Sequence, residues 1–200
     1  MSALETTVQP TSEPVSWDEA KAELHLDVDD EQPGGERKLL EARAWAEAYT
    51  RRCFITQTLK QYEDAFPAGN VLELLRSPVT QVVSVKYTDQ NGTLQTLVEG
   101  TDYQVDLVSE RCRIAPVYGR IWPTPRRQFN AIVIEFKAGY GAAVANIPAD
   151  VLATIREGIL ARTVDSFENR GSVVVGSINS RITTRTAETI LDKIKIFEVS

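Results

Sequence analysis

The stretch that decides the fold is residues 148–170, PADVLATIREGILARTVDSFENR. Pro148 suits a first helical turn, where its missing N–H would have had no partner. Leu152, Ile155, Ile159 and Phe167 fall on one face of the predicted helix, and Val151, Leu160 and Val164 widen it. Gly171 supplies the stop. Burial is worth roughly 1.5–3 kcal/mol per large side chain, so this face is a main contributor to the core. One helix cannot bury such a face alone. Other segments must supply its partners.

The first partner is a helix predicted over 36–52. Leu39, Ala42, Ala46, Tyr49 and Cys53 recur three and four apart, with Leu40 and Trp45 on the flanks. The small Ala42 and Ala46 allow close approach, so this stripe is expected to pack on the 148–170 helix. A shorter helix is expected over 16–26, opened by the capping box Ser16-Trp17-Asp18-Glu19. Residues 27–35, DVDDEQPGG, read as a loop.

Between these helices lies a β-rich insertion, about 54–138. Strands are expected near 55–66, 71–75, 79–88, 94–98, 103–107, 113–115 and 131–137. Asp89-Gln90-Asn91-Gly92 reads as a hairpin turn with Asn-Gly at positive φ. Val83, Val85 and Tyr87 alternate, which implies one buried face. Residues 131–136 are nearly continuous apolar, as in a central strand. Pro116, Pro123 and Pro125 make the stretch before it a loop. Residues 1–14 read as a flexible arm and 172–200 as a C-terminal arm. In that arm 172–185 is extended, and Thr186 caps a last short helix. The fold class is therefore α+β: a small helical bundle (16–26, 36–52, 148–170), a β-rich insertion (54–138) and a C-terminal arm.

Composition bounds the function. An apolar fraction of 42% supports a real core, and a net charge of −6 argues against general nucleic-acid binding. No apolar run reaches membrane-spanning length, so no membrane partner is expected. The opening MSALETTVQPTSEP is the opposite of a secretory n-region. Cys53 and Cys112 read as buried free thiols. His25 is the only histidine, and no ligands stand at metal spacing around it. No nucleophile elbow is present, and Gly139-Tyr140-Gly141 lacks the spacing of a phosphate loop. The acids of 27–31 lack the glycine and bidentate Glu of a calcium loop. No catalytic, cofactor-binding or metal-ligating residue is assigned, and no cofactor is expected.

Charge is unevenly spread. Residues 1–36 hold ten acids against one base, whereas 111–137 hold six bases against one acid. Three readings stand open: two solvated surfaces, two faces that meet between subunits of a head-to-tail ring, or arginines against a phosphate backbone. The ring reading names Asp29, Asp30 and Glu31 on one side and Arg126 and Arg127 on the other.

The order of parts resembles a known family. A capped helix SWDEAKAELHLD precedes LLEARAWAEAYTRRCFITQTL. A β insertion with LELLRSPVTQVVSVKYTDQNGT follows, then NAIVIEFKAGYG, and a helix opening IPADVLATI and closing FENRG. Over 15–171 this resembles the head–tail connector proteins of long-tailed double-stranded DNA phages, also called adaptor or head-completion proteins. Family members often carry a bulkier aromatic pair where this chain has Asp165-Ser166-Phe167. The resemblance implies a connector domain over 15–171, assembled as a dodecameric ring beneath a portal protein in the virion neck. It further implies a downstream tail-joining partner (stopper or tail terminator). DNA would pass through without sequence-specific binding, and the chain would be made in the host cytoplasm and have no enzyme activity. Ile190, Leu191, Ile194, Ile196 and Phe197 are expected at the portal, steered by Arg181 and Arg185; the alternative packs this end on its own subunit. Two competitors remain: a monomeric tail-joining accessory protein, and a metal-dependent nuclease with dispersed carboxylates.

Overall fold

The computed structural model describes residues 2–24, 32–168 and 180–197. The architecture is α+β. The chain divides into two compact units, Met1–Thr11 with Ile55–Ala142, and Ser12–Phe54 with Ala143–Ser200.

The first unit is β-rich. Strands β1 (Ala3–Val8), β2 (Gln57–Glu63), β4 (Val79–Thr88), β5 (Leu94–Leu97) and β8 (Ile132–Ala138) form one antiparallel sheet, in the order β1-β2-β8-β4-β5. Strands β3 (Leu72–Glu73), β6 (Tyr103–Asp106) and β7 (Arg113–Pro116) form a second, in the order β3-β7-β6. The apolar run of β8 does occupy the centre: Ile132, Ile134, Phe136 and Ala138 are buried, with Leu59 opposite Phe136. Buried Gln61 ties the sheets together. Its amide donates to the Glu73 carbonyl at 3.1 Å and accepts from the Leu75 N–H at 2.9 Å, so both halves of a buried polar group are satisfied.

Three expectations for this unit are corrected. Residues 3–8, read as part of a flexible arm, form edge strand β1 on β2. The partner strand supplies the backbone hydrogen bonds that local sequence could not reveal. On β4 the buried residues are Val79, Val82 and Val85, while Val83 is exposed. Register shifts between Val79 and Gln81 and between Val82 and Ser84 insert extra residues, so simple alternation fails. In the hairpin after β4 only Gly92 has positive φ, at 87°; the turn is held instead by the Asp89 carboxylate, which accepts from the N–H groups of Asn91 and Thr93.

The second unit is helical: α1 (Trp17–Leu24), α2 (Gln32–Thr50), α3 (Ala149–Glu168) and α4 (Ser180–Leu191). The capping box forms as read, with the Glu19 N–H donating to Ser16 Oγ at 3.2 Å and the Ser16 N–H to Glu19 at 2.8 Å. Helices α2 and α3 pack together. Leu39, Ala42, Ala46, Ile155 and Ile159 are buried. The Lys38 ammonium on α2 lies over the Phe167 ring of α3 at 4.4 Å and also donates to the Ser166 carbonyl.

Helix bounds differ from expectation for identifiable reasons. Helix α2 starts earlier and takes in Pro33-Gly34-Gly35. A Cβ on Gly35 would fall 1.9 Å from the Trp17 ring, so the glycine makes room for that indole rather than ending a loop. The helix stops at Thr50, not Arg52, because Arg51 adopts φ 60°. Helix α4 begins at Ser180, so Thr186 is internal rather than a cap, and 180–185 is helical rather than extended. The helix docks on α3 at its C-terminal end: Leu191 is fully buried and sits where a Cβ on Gly158 would be, within 2.6 Å. Tertiary packing thus overrides the low helix propensity of its Thr-rich sequence.

Candidate functional site

Among the described residues no three His, Cys, Asp or Glu side chains come together as a group that could hold a metal ion, and no helix is long and apolar enough to cross a membrane. Cys53 and Cys112 are buried and not joined in a disulfide, and burial pushes the Cys112 thiol up to about 12. The features that point outward are surfaces.

The main one is the loop between β7 and β8, residues 117–131. Trp122 anchors it: the indole stacks on Phe66 with centroids 4.4 Å apart and donates to the Asn70 carbonyl at 2.9 Å. Farther on, the Arg126 N–H donates to the Thr88 carbonyl at 2.9 Å. The Asn130 N–H donates to Asp64 at 2.8 Å, with Asn130 at φ 56°. Ahead of Trp122, and again between Arg126 and Asn130, the chain turns out large apolar side chains. Phe129 is 87% exposed, Ile121 81%, and Tyr118 fully. Arg126 and Arg127, which one of the three sequence readings places at a subunit contact, are exposed on the same loop. Their intended partners Asp29, Asp30 and Glu31 lie outside the described residues.

The hairpin between β6 and β7 is held in a similar way. Asp106 accepts from Ser109 Oγ at 2.6 Å and from Arg113 Nη2 at 2.5 Å, and also from two backbone N–H groups. These bonds hold its carboxyl well below the usual carboxylate range. The turn leaves Val108 at 97% exposure.

The helical unit carries a buried charge cluster that sequence reading missed. Arg43, 5% exposed, places Nη1 2.6 Å from Glu47 and Nε 2.7 Å from Glu13. The second contact is a close ion pair between Arg43 and Glu13. Glu47 also accepts the Phe54 N–H at 2.8 Å. Burial raises the Glu13 carboxyl above its ordinary value; Arg43 opposes the shift and Glu47 adds to it. The spacing Arg43–Glu47, four apart on one helix, was the one signal available. The same unit carries an open groove of about 490 Å³ lined by Glu23 of α1, by Glu157, Leu160, Ala161 and Val164 of α3, and by Thr186 and Ile190 of α4.

The residues expected at a portal are divided. Leu191 and Ile196 are buried within the helical unit, and the Ile196 N–H donates to the Thr50 carbonyl at 3.1 Å. Ile190 and Ile194 are half-buried, and Phe197 is exposed. The side chains of Arg181 and Arg185 lie outside the described residues. Nearby, burial and the Asp192 hydrogen bond push the Tyr49 phenol up to about 12.

No protein-family model and no curated protein sequence matches the chain. Solved structures do. A chain of the structure described as "Virion of native gene transfer agent (GTA) particle" superposes with a TM-score of 0.75 at 18% identity, covering 98% of this chain and 97% of that one. A chain from "Neck of empty GTA particle computed with C6 symmetry" gives 0.73 at 18% identity, over 99% and 97%. One from "Neck of native GTA particle computed with C12 symmetry" gives 0.65 at 19% identity, over 100% and 97%. The fold is thus that of chains found in the virion and neck of gene transfer agent particles, matched along nearly the whole length.

Proposed function

We propose that this chain is a structural neck protein of a phage-like particle. In this reading it is a head–tail connector (adaptor) that forms a ring, with a portal protein above and a tail-joining protein below. The observation that carries the reading is the likeness to gene transfer agent chains over 97% or more of both partners. Twelve copies fit the C12 symmetry of one of those necks. Exposed Tyr118, Ile121 and Phe129 support self-association, because held apolar side chains in water gain nothing until a partner covers them. The net charge of −6 suits a channel through which DNA slides rather than sticks. The role is structural rather than enzymatic, and its place is the virion. Phe197 and the arginines at 181 and 185 remain the proposed portal contacts of the C-terminal arm; Leu191 and Ile196 serve there by holding the arm to its own unit.

Mass measurement across a concentration series, alone and with portal protein, tests this. A ring species that grows with concentration or on adding portal is expected. A monomer under every condition would remove the ring.

A further inference from the structure

The exposed turn 126–130 and the groove between α1, α3 and α4 are complementary in chemistry. The turn presents Phe129 between fixed backbone points and carries two exposed bases, Arg126 and Arg127. Among the described residues the groove has an apolar floor of Leu160, Ala161, Val164 and Ile190, and the charged residues that line it, Glu23 and Glu157, are both acids. Both acids are exposed. A fixed turn loses little freedom on docking, so burying its aromatic is a net gain. Resting on the ring reading above, we propose that the 126–130 turn of one copy seats in the α1–α3–α4 groove of the next copy. Phe129 lies on the apolar floor, and Arg126 and Arg127 face Glu23 and Glu157. The occupant is a second copy because this chain itself carries the opposite-signed match to its own groove. Two different patches meet, so the contact is head-to-tail, the type that closes into rings.

Disulfide trapping between differently tagged full-length chains tests this. One chain carries Phe129→Cys and the other Val164→Cys; the native thiols are buried. Mixing separate single variants excludes bonds within one chain, and a disulfide reports side chains in contact. The expected result is at least tenfold more mixed dimer than with Ala44→Cys, an exposed position on α2. Glu23→Lys with Glu157→Lys on the Val164→Cys chain should cut the yield about tenfold. Arg126→Glu with Arg127→Glu on the other chain should restore it. Trapping no better than the Ala44→Cys control in a mixture that still runs as rings overturns the contact and leaves the ring reading standing. The absence of any assembly, with or without portal, overturns both.

Discussion

The two units break the usual division of apolar inside and polar outside in opposite directions. The β-rich unit has an apolar core yet holds Phe129, Ile121 and Tyr118 in water. The helical unit hides Arg43 and Glu47 among its packed helices. The difference separates two kinds of cost. Buried charge is costly to bury and is tolerated when every member is paired, as around Arg43, where it fixes one arrangement of the strap at Glu13 against α2. Exposed apolar surface gives the isolated fold nothing, so its benefit must come from something outside the chain.

That contrast can be broken most forcibly at Arg43. Arg43→Met leaves Glu47 and Glu13 facing each other, and urea unfolding should show a loss of about 4 kcal/mol. Adding Glu13→Gln and Glu47→Gln should recover more than half. No recovery would mean that Arg43 acts by packing rather than charge. Next in size is Leu191→Ala, which empties the site over Gly158 and should cost about 3 kcal/mol by the same measurement. A negligible loss would mean that α4 is not part of the helical unit's core.

The pH dependence of Glu13 is a smaller effect. Its carboxyl is raised above the unfolded value of 4.5, so the folded state holds the proton more tightly. Its contribution to stability is therefore greatest below 4.5 and falls as pH rises through the raised folded value. Subtracting the Glu13→Gln stability curve from the parent's should give a difference that declines with rising pH over that window; a difference that climbs would contradict the burial of Glu13. Smallest is Phe129→Ser, which should change stability by no more than about 0.5 kcal/mol while weakening self-association. A large loss of stability would place Phe129 in its own unit's core.

Much of the fold could be read from sequence because the signals were local. The apolar run of β8, the Ser16–Glu19 box and the stripes on α2 and α3 are each visible in residues close together in the sequence. What escaped depends on distant partners. Strand β1 is stabilised by β2, 50 or more residues away. The switch from Val83 to Val82 follows from a bulge, and Gly35 is explained only by the Trp17 ring. The N-terminal half of α4 was missed because its threonines lower local helix propensity, while the helix is anchored at its other end by Leu191 against α3. At the surfaces, charge pattern singled out Arg126 and Arg127. It could not mark Phe129, because a lone aromatic in a sequence does not announce whether it faces core or water.

The most direct measurement is an image of the chain mixed with the portal protein proposed as its partner, averaged without imposed symmetry. The account predicts a coaxial ring of this chain on the portal, twelve copies around, with the β7–β8 loop of each copy against its neighbour. Single copies scattered on the portal, or no complex at all, would contradict it.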